Sequence, residues 1–517
     1  MADNGPEALN EGNPENRPLL SQQEHSISAG DDGAIGLAAR TNVVNRGVEF
    51  EGTEARNEIE NSLLRKVDRR MSILILIYIL NYIDRNNVAA ARLRGFEEDL
   101  RLEGTQFASI LSALYIGYIL MQIPSNMFLD YVGKPSIYLP CCMILWGGIS
   151  FFTGFVTRFS EALFARFLLG FVEAAFFPGA LFLISKWYKR NELSQRIALL
   201  SCGNLVSNAF GSLIASAILD GLDGVLNYAA WRWLFFVEGA LTIFVAIWAI
   251  YILPDFPDSP SSWLTPNERA LAQQRMIEDA RPNDAFKSLT SDLGSTIQTR
   301  RQASISGFIL ALSDWKVWWL ALSLTSMVVS LSFNAYFPTL SATMGFDTTT
   351  TLLLCVPPWA FATIVSLAVS RHSDNTGERC WHITIPLLIG MMGFLIAMST
   401  MNTVIRYFSL FLMAQTYAGF ICFLSWTSGT ISRPSSKRAV ALAFVNSVSS
   451  LGNVTGSYVW PTSWGPTYYN SYTICTITGA ITVVMCFAFR SHLASLNDME
   501  ERKEKRHGEK KGYRYIL

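Results

Sequence analysis

Charge is scarce in this chain: Asp, Glu, Lys and Arg make up 16% of 517 residues and cancel to a net of zero. With no surplus of either sign there is no electrostatic footprint for nucleic acid, and half the residues are hydrophobic, a polytopic membrane composition rather than a soluble one. Histidine is scarcer still. The five (His25, His372, His382, His492 and His507) avoid the centres of the apolar runs, which argues against a histidine proton relay or a haem site. The eight cysteines (141, 142, 202, 355, 380, 422, 475 and 486) lack metal-ligand spacing. Cys141 and Cys142 are adjacent and cannot form an ordinary disulfide, so all eight read as packing residues. No nucleophile–base pairing or metal constellation stands out. No enzyme, cofactor or metal site is expected.

Long apolar runs are what the chain has instead. They cover about 71–91, 104–128, 136–157, 160–185, 196–219 and 231–253, then about 314–338, 350–370, 382–400, 404–428, 438–460 and 471–489. Each is long enough to cross a bilayer with some tilt. The reading is an all-α membrane protein with twelve transmembrane helices in two six-helix halves, 67–253 and 314–490, joined by a cytosolic central loop, 254–313. Residues 1–66 are polar and acidic with no hydrophobic region near Met1, a disordered cytosolic tail rather than a signal peptide. The short-loop bases Lys134, Lys186, Lys189, Arg190, Arg371, Arg379, Arg433, Lys437 and Arg438 fall inside if the N-terminus is cytosolic,. The basic tail 491–517 then faces the anionic inner leaflet. The plasma membrane is the expected location. A vacuolar one stays open, because Glu15-Asn16-Arg17-Pro18-Leu19-Leu20 has the form of an acidic dileucine sorting signal.

The first run ends in charges that an anchor has no use for. Asp84 and Arg85 are followed by Asn86 and Asn87 inside a segment that must be largely buried; each charge costs roughly 2.5–3.5 kcal/mol at a helix centre. The fourth run holds Arg166 and Glu173, seven residues apart and so on one helix face,. Two acids and two bases can form one charge-balanced cluster in the N-terminal half. Buried pairs are poor stabilisers, so four such groups point to function. A carboxylate in a low-dielectric cavity takes up protons near neutral pH, and a guanidinium stays charged and clamps a carboxylate through two bonds. That suits proton-coupled anion movement, with Asp84 and Glu173 handling protons and Arg85 and Arg166 the anion. Tyr115, Tyr118, Gln122, Asn204, Asn334, Tyr336, Gln415, Ser425, Trp426, Asn446 and Asn453 are further polar candidates along the path,. Glu238 and Arg232 are expected to pair as a structural bridge.

The halves echo each other at one place. After the second run comes Asp130-Tyr-Val-Gly133-Lys134, and after the eighth Asp374-Asn-Thr-Gly377-Glu378-Arg379. An acid, a turn glycine and a base in a very short loop, repeated at matching positions, mark an internal duplication with gating loops. The arrangement resembles the major facilitator superfamily, whose loop signature is Gly-x-x-x-Asp-x-x-Gly-Arg/Lys; here Asn126 and Pro135 depart from it. Asn81-Tyr-Ile-Asp84-Arg85-Asn-Asn87, Tyr118-Ile-Leu-Met-Gln122-Ile-Pro124 and Arg166 with Glu173 are similar to the anion:cation symporter branch. That resemblance implies proton roles for Asp84 and Glu173 and substrate contacts at Arg85, Tyr118 and Asn204, where Gln is usual. Leu253-Pro-Asp-Phe-Pro257 and Trp263-Leu-Thr-Pro-Asn-Glu268-Arg269 are similar to fungal allantoate and nicotinate permeases. The expected function is a monomeric proton-coupled importer of a small organic anion, its other partners protons and the lipid bilayer. A proton-antiport exporter is an alternative, but such exporters carry a Gly-Pro break in the fifth span, and 201–219 has no Pro. A non-transporting nutrient sensor is the other.

Overall fold

Apolar runs of this length satisfy their backbone polar groups within themselves only as helices, and helices are what form. The computed structural model describes residues 54–257, 259, 263–279, 309–431, 435–507 and 514–517; the Leu19-Leu20 segment lies outside them. The long helices are α1 (Glu54–Ala91), α2 (Gln106–Val132), α3 (Pro135–Thr153), α4 (Phe159–Trp187), α5 (Arg190–Gly221) and α6 (Ala230–Ile252). After the short α7 (Pro266–Asp279) come α8 (Trp315–Ala342), α9 (Thr348–Thr376), α10 (Cys380–Ser399), α11 (Thr403–Thr430), α12 (Ser435–Ser457) and α13 (Tyr469–His507). Among the described residues, ten of these are long and apolar enough to cross a membrane. Of the three others, α7 is short, while α1 and α12 carry Asn81 to Asn87 and Asn446 to Asn453, polar side chains that lower their hydropathy. With them, the twelve rods fall six before and six after the polar stretch, as the sequence leads one to expect.

Three rods are interrupted at mid-length. α4 breaks between Glu173 and Phe176, α11 breaks at Gln415, and α8 tightens into a 3₁₀ stretch over Leu331–Tyr336. The breaks in α4 and α11 occupy the fourth rod of each half. A mid-helix interruption frees backbone groups and is tolerated where protein or a cavity surrounds it. α2 crosses α4 at its closest approach: a Cβ on Gly117 or Gly170 would collide with the carbonyl of Phe167 or Leu114 on the other helix. That crossing brings Tyr115 and Tyr118 beside Glu173.

The halves meet through α5 against α9 and α2 against α12. At the end carrying the α1–α2 loop, the Tyr458 hydroxyl lies 3.1 Å from Ser109 Oγ and 3.3 Å from Ser112 Oγ, and Ser216 Oγ donates to the Thr349 carbonyl. At mid-depth Ser447 Oγ donates to Gln122 Oε1 at 2.8 Å. The opposite end carries the two echoing loops. Gly133 and Gly377 cap α2 and α9 at φ +65°, a left-handed conformation that glycine adopts without penalty,. Arg379 pairs with Asp374 and donates to Ser373 Oγ; Lys134 is exposed, and the Asp130 side chain lies outside the described residues.

Two segments that the sequence assigns to loop and tail pack on this end. In α7, Arg275 is buried between Glu60 of α1 and Glu192 of α5, and Glu268 takes a 2.7 Å bond from Lys66 of α1. α13 continues to His507, and residues 514–517 fold back so that Tyr515 bonds Asn497, the Ile516 carbonyl accepts from Trp426 Nε1, and the Leu517 carbonyl accepts from the Arg379 amide.

The α7 contact is pH-sensitive. Burial alone would raise the Glu268 carboxyl, but Lys66, the Thr265 amide and Ser62 outweigh it and hold it below the ordinary value. Its stabilising contribution is therefore complete above the unfolded pKa of about 4.3 and is lost as pH falls through the lower folded value. Hydrogen exchange in 266–279, corrected for the intrinsic rate, should accelerate over that acid range. Glu268→Gln should show the faster exchange already at neutral pH, without the acid step.

Candidate functional site

The site grows from the second half of α1, where the apolar run turns polar. Arg85 reaches the broken end of α4: its Nη2 and Nε both donate to Glu173 Oε2, at 2.8 and 3.1 Å. Glu173 Oε1 has no hydrogen-bond partner among the described residues. Three rings surround the guanidinium, Tyr82, Tyr118 and Tyr115, with centroids 4.9, 5.1 and 5.8 Å away. Each such contact is worth about 0.5–2 kcal/mol and offsets part of the desolvation cost that a buried ion pair leaves unrecovered. The ring faces hold the cation without occupying its N–H groups. Asn446 of α12 faces the Tyr118 hydroxyl across the interface between the halves.

Arg166 is held differently. Nη1 donates to the carbonyls of Asp84 and Arg85, at 3.3 and 3.2 Å, and Nη2 to Asn87 Oδ1 at 2.8 Å. It ties α4 to the α1 backbone and makes no ion pair with the Asp84 side chain. The Asp84 carboxylate points instead to α3 and α6, accepting from Ser150 Oγ at 3.1 Å and Thr242 Oγ1 at 2.9 Å. The sequence expectation of one four-charge cluster thus resolves into one ion pair, one arginine on backbone carbonyls and one carboxylate on hydroxyls.

Two clefts meet at Asn86 and Ala89 of α1. One is lined by Arg85, Tyr115, Arg166 and Leu111 together with Ala335 of α8. The other is lined by Asn87, Asn208, Ser212 and Glu238 together with Asn334 and Trp359 from the second half. Asn86 Nδ2 donates to Asn208 Oδ1 at 2.8 Å between them. The clefts combine a fixed cation, neutral amides and aromatic walls, an environment for a small anion with hydrogen-bonding groups.

Of the residues singled out from sequence, Asp84, Arg85, Tyr115, Tyr118, Arg166, Glu173, Asn334 and Asn446 come together here. Others do not. Tyr336 is buried with its hydroxyl on the Ser457 carbonyl and its ring stacked on Trp460. Ser425 and Asn204 line neither cleft, and Trp426 is engaged by residues 514–517. The expected Arg232–Glu238 bridge does not form. Arg232 donates to the carbonyls of Gly154 and Val156 and lies over Trp231, while Glu238 turns into the cleft. Sequence reasoning missed Tyr82, Asn86 with Asn208, and the cleft position of Glu238. Asn208 follows Asn204 by one helical turn, which was a usable signal; nothing in the sequence distinguishes the two faces of α6.

Residues 74–457 match the family model described as Major Facilitator Superfamily. The chain is 32% identical over 420 residues to the MFS-type transporter cnsO of Penicillium expansum, covering 78% of each chain. It is 27% identical to a putative tartrate transporter of Agrobacterium vitis, over 77% of this chain and 84% of the relative. Among solved structures, the xylose transporter XylE of E. coli, in a partially occluded inward open conformation, aligns with a TM-score of 0.60 at 15% identity, covering 83% of this chain and 98% of that one. At that identity the likeness is one of fold.

Thr242→Val is the direct check on how Asp84 is held. Removing one hydroxyl donor from a buried carboxylate should cost about 1–3 kcal/mol, read as a fall in the thermal unfolding midpoint, whereas Thr242→Ser should restore most of it.

Proposed function

Because the chain belongs to the major facilitator superfamily and is a multi-pass membrane transporter, we propose that it is a proton-coupled symporter that imports a small organic anion by alternating access. The observation that carries this reading is Arg85, a fixed cation at the cleft wall, held by one carboxylate oxygen of Glu173 inside a ring of tyrosines. When Glu173 takes a proton, it no longer balances the guanidinium, and the two donors on Oε2 become available to a substrate carboxylate. The charge of the site is then the same before and after loading: arginine with glutamate, or arginine with substrate and a neutral acid. A loaded site without new net charge can reorient through a low-dielectric barrier. Asp84, on the same turn of α1, is the second coupling carboxylate.

The amides of Asn334 and Asn446 serve as neutral contacts from the second half, and Arg166 holds the α1 backbone that presents Arg85. The Gly133–Lys134 and Gly377–Arg379 loops act at the inner face as the hinged ties between neighbouring helices. The name of the tartrate relative supports a carboxylate cargo. The chain works as a monomer in the plasma membrane with both termini cytosolic, since one protomer supplies the whole site and the basic short loops lie on the termini's side.

Uptake into proteoliposomes of radiolabelled tartrate, nicotinate, allantoate and pantothenate tests the proposal. Accumulation of at least one should follow an inward proton gradient and collapse with a protonophore. Transport only against an outward-directed substrate load, driven by proton exit in exchange, would establish the exporter instead. For the accepted substrate, Arg85→Lys should lower apparent affinity by roughly ten- to a hundredfold, the loss of one charge-assisted bond of about 1.5–3 kcal/mol. Glu173→Gln should keep substrate exchange and lose uphill accumulation.

A further inference from the structure

Seven residues beyond Arg85, α1 gives way to a second arginine. Arg92 directly follows Ala91, so it continues the face that carries Arg85, roughly 10 Å further along the axis,. Its side chain is 7% exposed, and its Nε pairs with Glu97 at 3.0 Å. The guanidinium lies over two rings. Phe107 of α2, from the same half, has its centroid 4.3 Å away, and Tyr336 of α8, from the other half, 5.7 Å away. The two rings meet edge to face at 6.0 Å. Tyr336 is itself fixed: its hydroxyl donates to the Ser457 carbonyl at 2.6 Å, its ring stacks on Trp460, and Trp460 Nε1 donates to Ser332 Oγ at 2.9 Å. The hydrogen bonds that join the halves at this end, Tyr458 with Ser109 and Ser112 and Ser216 with Thr349, come from neutral hydroxyls. Water replaces such bonds at little net cost.

We propose that Arg92 is the gate residue of this end: seating its guanidinium under Tyr336 shuts the mouth and draws the two walls of the clefts together. Each wall is continuous with one side of the gate. α1 carries Arg85 on the cleft wall and leads directly into Arg92; the 3₁₀ stretch of α8 carries Asn334 and Ala335 on the cleft walls and Tyr336 at the mouth. A guanidinium is more weakly hydrated than an ammonium and stacks on aromatic faces, so exchanging water for a ring there costs little and gains the cation–π attraction. Closure has an opposing term. Arg92 Nη1 has no hydrogen-bond partner among the described residues, and a buried unpaired donor is penalised. The mouth is therefore held but not locked, the balance a gate requires if cargo binding is to tip it. Arg92 lines neither cleft; it is a positioning residue that acts through Tyr336. The proposal rests on the alternating-access part of the reading above and on neither the proton nor the anion.

Distances between spin labels on the full chain in nanodiscs, without substrate, test it. One pair, on exposed Leu226 and Val404, spans the halves at this end; a second, on exposed Tyr131 and Met499, spans them at the opposite end. The wild type should be mainly narrow at the first pair. Arg92→Gln and Tyr336→Leu should each raise the ratio of wide to narrow about 2- to 30-fold, the range expected from one cation–π contact. The double variant should go no further than the larger single one. Arg92→Lys, which keeps a cation over the ring, should stay closer to the wild type. An unchanged distribution in Arg92→Gln, equal effects of Arg92→Lys and Arg92→Gln, or single effects that multiply in the double variant overturns the proposal, and so does a wild type already wide at the first pair. If Tyr336→Leu does not fold, the comparison of Arg92→Gln with Arg92→Lys decides. Widening of the first pair with the second unmoved keeps the gate and overturns alternating access.

Discussion

One guanidinium, kept charged inside an apolar bundle, governs much of this structure. Arg85 cannot give up its proton at any pH the protein meets, so its surroundings must supply compensation permanently. The bundle does so with a single carboxylate oxygen and three aromatic faces rather than with a full bidentate carboxylate. Compensation of that kind is sufficient to bury the cation and loose enough to be exchanged for another anion. Glu173 serves because α4 stops there. A side chain at a helix break can approach α1 without the following turn in the way, and the glycine crossing of α2 on α4 brings two of the tyrosines to the same place.

Two helices that carry polar residues of the site, α1 and α12, fall short of the hydropathy of a membrane span. They trade apolar side chains for asparagines and serines. The same trade appears in the second half, where Asn334 lies in the 3₁₀ stretch of α8 and Gln415 at the break in α11. Hydrogen bonds across the interface between the halves join α2 to the Tyr458 end and to Ser447 of α12, whereas the clefts are lined by α1, α2, α4 and α8 in one case and by α1, α5, α6, α8 and α9 in the other.

At the far end the charges do a different job. Arg275, Lys66, Glu60, Glu192 and Glu268 bind α7 to α1 and α5, and Arg379 with Trp426 holds residues 514–517. Here the buried members, Arg275 and Glu268, are paired with partly exposed partners, Glu60, Glu192 and Lys66, so the network reaches solvent at one side,.

Run length read along the chain led to the all-helical fold and to charge inside the bundle, because a span of lipid imposes a one-dimensional constraint that a sequence records directly; hydropathy by itself marks ten of the helices. The αL glycines of the two loops were legible for the same local reason. Pairing was not. Arg85 with Glu173, Asp84 with Ser150 and Thr242, and Arg232 with backbone carbonyls instead of Glu238 all depend on the rotation of one helix against another. Helical spacing tells which residues share a face and leaves open which neighbour that face meets. Glu238 shows the difference best: on α6 alone it is an acid near an arginine, and only the packing of α1 and α5 turns it toward the cleft.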